Sequence, residues 1–75
     1  MEPKIIVNPQ ICHGKPVIRG TRIMVADVLD LLEAGKNFAD IIENYFPDLT
    51  QEDIAACIHF ASTMIQNEEI IVAAF

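Results

Sequence analysis

The chain changes from an extended to a helical pattern of apolar residues near Val25. From there, apolar residues recur at i, i+3, i+4 and i+7 as far as Leu32, with acidic residues on the opposite side, as in an amphipathic helix. Gly35 follows the last turn, where a glycine readily adopts the left-handed angles that end a helix. The spacing predicts a first helix that starts at Val25 and stops at Gly35.

A second helix is predicted between Asn37 and Phe46. Asn37 is a favourable N-cap, and Asp40 stands three residues later, at the second position of a capping box. Pro47 disfavours helical angles in the residue before it, so the helix is expected to end near Phe46. Its apolar stripe consists of Phe38, Ile41, Ile42 and Tyr45.

A third helix is predicted from Thr50 to about Gln66. Thr50 and Asp53 repeat the capping-box spacing, and acids in the first turn suit the positive end of the helix dipole. The three residues 47–49 that join it to the second helix match the turn length of a helix-turn-helix motif, although short helical hairpins are common. The apolar stripe of this helix is the longest and consists of Ile54, Cys57, Ile58, Ala61, Met64 and Ile65.

The first third of the chain has the features of a short β-ribbon. Residues 4–7 are rich in β-branched side chains and end at Asn8-Pro9, and a second extended candidate, 17–19, lies between glycines. Gly14 and Gly20 allow the positive φ angles of two tight turns. Because a lone two-stranded ribbon is barely stable in water, it is expected to pack on the helices or pair with the same ribbon of a second subunit.

The final residues are apolar again. Between Glu69 and Phe75 the chain is apolar on both alternating faces, which at a terminus calls for something that covers it. The pattern predicts one mainly α-helical domain over residues 1–75. It comprises an extended ribbon segment (1–23), a three-helix core (24–66) and an apolar C-terminal tail (67–75).

Composition indicates that a partner covers part of the surface. The chain has 75 residues, of which 52% are hydrophobic, and its mean hydropathy is +0.33. A domain this small buries only roughly 60% of the surface that its unfolded chain exposes. We therefore expect a homodimer, a higher homo-oligomer or a foreign protein partner.

Charge is distributed unevenly along the chain. Residues 1–22 hold four basic residues and one acid, whereas residues 23–75 hold one basic residue and ten acids. A polyanion such as DNA would therefore meet the N-terminal third. The basic residues there are Lys4, Lys15, Arg19 and Arg22. The alternative is that an arginine pairs with an acid of the chain itself, such as Asp27, Asp30 or Asp48, and attaches the ribbon to the helices.

The sequence offers little support for an enzyme or a membrane protein. No apolar run reaches the roughly 20 residues of a transmembrane helix, and the first residues lack the pattern of a signal peptide, so a cytoplasmic protein without membrane contact is expected. Gly14-Lys15 lacks the spacing and the hydroxyl residue of a P-loop. Cys57 and His59 lie about 200° apart around a helix and cannot share a metal ion. No catalytic residue, metal site or cofactor is predicted.

The nine residues from Gly14 to Arg22, Gly-Lys-Pro-Val-Ile-Arg-Gly-Thr-Arg, resemble the signature of domain-of-unknown-function family 433. These short prokaryotic proteins are regarded as VapB-like antitoxins with a homeodomain-like helical core. The resemblance continues through the helices and covers about residues 5–62. It implies an antitoxin of a type II toxin–antitoxin module, which binds and inhibits a PIN-like ribonuclease toxin, with operator DNA as a further candidate partner.

Two surfaces are predicted to bind these partners. One serves DNA or a dimer mate and consists of Lys4, Lys15, Arg19, Thr21, Arg22 and Gln51. Gln51 begins the third helix and can read adenine, although the acids Glu52 and Asp53 beside it would repel phosphates. The other surface serves the toxin and consists of Ile70, Ile71, Val72 and Phe75 in the tail. Alternatively, the ribbon with Arg19 and Arg22 approaches the acidic metal-binding pocket of the nuclease.

Two rival functions stay open. A stand-alone promoter-binding regulator would retard duplex DNA at low salt, and Arg19→Ala or Arg22→Ala would weaken that binding. A structural homo-oligomer would use the tail to close its own subunit interface, so that deletion of residues 69–75 would dissolve the oligomer.

Overall fold

The computed structural model describes residues 4–67, which form three helices and a two-stranded antiparallel sheet. In chain order, the elements are β1 (Ile5–Ile6), a 3-10 turn (Cys12–Gly14), β2 (Val17–Ile18), α1 (Val25–Glu33), α2 (Phe38–Asn44) and α3 (Gln51–Asn67). The predicted class, a mainly helical fold with a short N-terminal ribbon, is confirmed. The tail contacts predicted at Ile70, Ile71, Val72 and Phe75 lie outside the described residues.

Both predicted N-caps are present as hydrogen bonds. The backbone N–H of Asp40 donates to Asn37 Oδ1 at 2.8 Å. At the start of α3, the N–H of Asp53 donates to Thr50 Oγ1 at 3.2 Å and the N–H of Thr50 donates to Asp53 Oδ2 at 3.0 Å. The carboxylate of Asp40 instead accepts from the side-chain amide of Asn44. α3 therefore begins with a complete capping box, which satisfies donors that the first helical turn leaves unpaired.

The second helix ends earlier than predicted, at Asn44 rather than near Phe46. Tyr45 departs from helical angles, with φ −122° and ψ −53°, and the N–H of Phe46 donates five residues back to the carbonyl of Ile41 at 2.8 Å. As a result, the connection between α2 and α3 comprises residues 45–50. This connection is longer than the three-residue turn that was predicted.

The core lies where the three helices meet β2. Its buried members are Ile18, Val25, Val28, Ile41, Leu49, Ile54 and Cys57. Burial of each large aliphatic side chain contributes roughly 1.5–3 kcal/mol. From the stripe predicted on α3, Ile54 and Cys57 are fully buried, whereas Ile58, Met64 and Ile65 stay 42%, 44% and 60% exposed. The apolar stripe of α3 therefore continues past the core.

The ribbon pairs β1 with β2 and rests on the helices. Ile5 stands opposite Ile18, and Ile6 opposite Val17. On its other side, Val17 forms a bridge with Met24, just before α1. β2 is thus held from both sides, while β1 lies at the edge of the sheet. Within residues 4–67, no helix has both the length and the apolar character that crossing a membrane requires.

Candidate functional site

The first turn of the ribbon has a left-handed backbone over three consecutive residues. Cys12, His13 and Gly14 have φ angles of 50°, 57° and 80°. The N–H of Gly14 donates to the carbonyl of Ile11 at 3.0 Å, and the N–H of Lys15 to that of Cys12 at 3.2 Å. Left-handed angles cost a non-glycine residue roughly 1–2 kcal/mol. The sequence predicted the positive φ of Gly14 but not those of Cys12 and His13. The only local sign of their left-handed backbone is the glycine that follows them.

The second turn, 20–22, is organised by the hydroxyl of Thr21. Gly20 has the predicted positive φ, 82°. Thr21 Oγ1 donates to the carbonyl of Ile18 at 2.8 Å and accepts from the N–H of Ile23 at 3.0 Å. This hydroxyl therefore bridges the backbone on both sides of the turn. Contact of Thr21 with DNA or a dimer mate stays a prediction.

A thiol joins the two turns. Cys12 Sγ lies 3.6 Å from the carbonyl oxygen of Arg22, so the loop that carries Lys15 is held beside the turn that carries Arg22. The side chains of Lys15, Arg19 and Arg22 are exposed. The fold thus brings together two segments of the predicted basic surface that are separated by β2.

Lys4 has a partner within the fold. Its Nζ lies 3.4 Å from Asp53 Oδ1, which ties β1 to the first turn of α3. Burial acts to raise the pKa of Asp53, but hydrogen bonds from the N–H of Thr50 and from Lys4 outweigh it and hold that pKa below its ordinary value of 3.8. Sequence reasoning did not anticipate the pair of Lys4 with Asp53, and the alternative in which an arginine pairs with an acid of the chain stays a prediction.

The first turn of α3 is a poor surface for DNA. Gln51 and Glu52 are exposed, and the carboxylate of Asp53 lies beside them. Lys4, the nearest predicted phosphate contact, is engaged by Asp53. Two acids at the position where a recognition helix meets the groove would repel the phosphates. DNA contact by this chain would fall to the two basic turns of the ribbon instead.

The far half of α3 offers an apolar surface. We name the exposed side chains Ile58, Met64 and Ile65 the distal apolar face. Ile58 and Ile65 are seven residues apart, so they lie almost directly above one another on the helix. An exposed apolar set of this kind on a small domain is typical of a protein interaction site.

A groove of about 320 Å³ separates β1 from α3. The residues that line it are Lys4, Ile5, Ala56, His59, Phe60 and Thr63. Ala56, Phe60 and Thr63 follow one another at helical spacing and lie roughly opposite Ile58 and Ile65 around the axis of α3. Ile58 and Ile65 therefore lie on a different side of α3 from the groove, whereas Met64, four residues after Phe60, lies beside it.

The buried cysteine belongs to the core and not to a reactive site. Burial, reinforced by the charge of Asp53, raises the pKa of Cys57 to about 11, so the thiol stays protonated at neutral pH and a poor nucleophile. Its full burial agrees with its predicted place on the apolar stripe of α3. Among residues 4–67, no three side chains of histidine, cysteine, aspartate or glutamate converge in a way that would hold a metal ion.

Comparisons with known proteins agree with the fold. A family model described as a protein of unknown function, DUF433, matches residues 5–61. The crystal structure of a DUF433 member protein from Anabaena variabilis ATCC 29413 is 31% identical and superposes with a TM-score of 0.77. The match covers 87% of this chain and 63% of that one. No curated protein matches the sequence significantly. On the family match, which spans most of its length, this chain belongs to the DUF433 family.

Proposed function

We propose that the protein is a non-enzymatic, cytoplasmic antitoxin that binds a PIN-like ribonuclease and keeps it inactive. The observation that carries the proposal is the distal apolar face, where three large side chains stay 42–60% exposed. The resemblance of the Gly14–Arg22 segment to VapB-like antitoxins supplies the class of partner.

The distal apolar face has the form of a helix that fits a partner's groove. Amphipathic helices bind such grooves through apolar residues at helical spacing, i, i+3, i+4 and i+7. Ile58 and Ile65 have the i, i+7 relation, and Ala61 lies between them on the same side. Because these side chains are not needed for the core, they are available for a partner.

Charge supports the same class of partner. Residues 23–75 hold ten acids and one basic residue, so the helical part of the chain is strongly negative. A ribonuclease has to attract the phosphate backbone of RNA and therefore carries positive potential around its substrate site. An acidic helical protein is complementary to such a surface and competes with RNA for it.

The test measures binding to a PIN-like nuclease, which is first sought in the open reading frame next to this gene. The protein and that nuclease are co-purified, and the affinity is then compared for wild type, Ile58→Asp and Ile65→Asp. Ala26→Asp is the matched control, because it adds the same charge to an exposed position on α1. We expect each distal variant to weaken binding by about tenfold or more, as at an interface hot spot, and Ala26→Asp to leave it unchanged.

Two results would overturn the proposal. One is a purified pair in which nuclease activity is not reduced. The other is retardation of operator DNA by this protein alone together with no affinity for the nuclease, which would favour the promoter-binding regulator.

A further inference from the structure

We propose that α3 binds α3 of a second copy of this chain, in antiparallel orientation, through exposed side chains that form one strip along the helix. We name this set the α3 strip, and its members are Ala55, Ile58, Ser62 and Ile65. The inference concerns the protein without a nuclease and does not depend on the proposed function.

The strip has the spacing of helices that pair side by side. Its members are separated by steps of three or four residues, which keep them in one line where two helices cross at a shallow angle. Ile58 and Ile65 are 42% and 60% exposed, so both isoleucines present apolar surface to solvent. Burial of such surface against a second helix drives association.

The sizes of the side chains make the strip complementary to itself. A two-fold axis at the level of residue 60 relates two antiparallel copies of α3 such that Ile65 of each copy lies against Ala55 of the other. The same axis sets Ile58 against Ser62. Each large side chain thus meets a small one, the arrangement in which facing helices interdigitate. A parallel pair would instead set isoleucine against isoleucine and leave the small residues facing each other.

Charge also favours a second copy at this strip. The protein has a formal net charge of −6, so two copies repel each other. Residues 54–67 contain no aspartate, glutamate, lysine or arginine, and the ten acids of residues 23–75 all lie outside that stretch. The antiparallel orientation places the acidic first turns, with Glu52 and Asp53, at opposite ends of the pair. It also sets the positive end of each helix dipole beside the negative end of the other.

The polar member of the strip is compatible with burial. Ser62 Oγ accepts a hydrogen bond from the side-chain amide of Gln66 at 3.4 Å, so this oxygen keeps a partner when the strip is covered.

The strip is short, and interfaces at the low end of the size range are transient. We therefore expect a dimer that dissociates on dilution and is monomeric at the concentrations of spectroscopic measurements. A second copy and the nuclease of the proposed function would compete for Ile58 and Ile65.

The test is sedimentation equilibrium of the full chain without a nuclease, over about a hundredfold range of concentration. We expect the wild type to change from monomer to dimer as the concentration rises. Ile65→Asp should raise the dissociation constant of the dimer about tenfold or more, because it sets a charge against an apolar surface. Ala26→Asp is the matched control, since it adds the same charge to an exposed position on α1 and should leave the constant close to that of the wild type.

An exchange of sizes tests the antiparallel pairing itself. Ala55→Leu crowds the isoleucine that faces it and Ile65→Ala leaves a hole, so each variant should weaken the dimer about tenfold. The double variant again sets one large side chain against a small one and should recover most of the wild-type affinity. Ala26→Leu adds the same bulk at an exposed position on α1 and should have no effect. Circular dichroism checks that each variant keeps its helices.

Three results would overturn the inference: a wild type that stays monomeric at every concentration, a dimer that Ile65→Asp does not weaken, or a double variant that dimerises no more tightly than the single ones. These measurements use this protein alone. A monomer that still inhibits the nuclease would therefore contradict this inference and leave the proposed function standing, whereas a dimer without affinity for the nuclease would do the reverse.

Discussion

The two halves of α3 have similar apolar patterns and different environments. The first half, 51–57, begins with the capping box of Thr50 and Asp53 and buries Ile54 and Cys57 completely. The second half, 58–67, continues the apolar stripe, yet Ile65 is 60% exposed. The difference arises because α1 and α2 are short, with 9 and 7 residues, whereas α3 has 17. α3 therefore extends beyond the helices that cover its first half.

Along α3, residues that maintain the fold are followed by residues that are available for function. An apolar side chain at helical spacing signals that something covers it, but the pattern does not say whether the cover is the chain itself or another molecule. In α3 the first half is covered by the core. The second half is assigned to a partner by the proposed function.

The largest expected effect comes from truncation of one isoleucine in each half of α3. Ile54→Ala is expected to lower the free energy of unfolding by about 2–5 kcal/mol, because it leaves a cavity in a packed core. Ile65→Ala should change it by less than about 0.5 kcal/mol, as at other exposed positions. Urea denaturation followed by circular dichroism measures both. A large loss in Ile65→Ala would mean that the second half is buried in the free protein as well.

Local signals in the sequence predicted the helices well. Asn37 and Thr50 act as N-caps as expected, because capping depends on side chains within one turn. α2 ends at Asn44, two residues before the predicted end near Phe46, and the cause is again local. The residue before Pro47 is disfavoured in a helix, and the chain left helical angles already at Tyr45.

The candidate site was less predictable, because it depends on contacts distant in sequence. The pairing of Lys4 with Asp53 spans 49 positions, and nothing in either neighbourhood selects it among ten downstream acids. The contact of Cys12 with Arg22 joins two turns. A glycine predicted each turn, but nothing in the sequence predicted that the two turns would lie together. The groove beside Phe60 follows from the placement of β1 on α3, which the ribbon pattern left open.

A smaller effect is expected at the start of α3. Thr50→Ala removes the acceptor for the N–H of Asp53 and should lower the free energy of unfolding by about 1 kcal/mol. Thr50→Ser is the matched control, since it keeps the hydroxyl and should stay close to wild type. Thermal denaturation at pH 7 compares the three proteins. Equal losses for alanine and serine would show that the methyl group of Thr50, and not its capping bond, supports the first half of α3.

The smallest expected effect concerns the ion pair that joins β1 to α3. Lys4→Met keeps the aliphatic stem at the groove but removes the charge 3.4 Å from Asp53, and an exposed pair of this kind contributes less than about 1 kcal/mol. Because the folded-state pKa of Asp53 lies below its ordinary value of 3.8, the stabilisation is present above that value and is lost as the pH falls through the lowered pKa. Lys4→Met should therefore be less stable than wild type at pH 7, and the difference should shrink as the pH falls below 3.8 and through the lowered pKa of Asp53. The control Lys15→Met, which removes the same charge elsewhere, should show no such convergence. Urea denaturation across this pH range measures the difference, and a gap between Lys4→Met and wild type that persists in acid would show that Lys4 acts through packing on the groove.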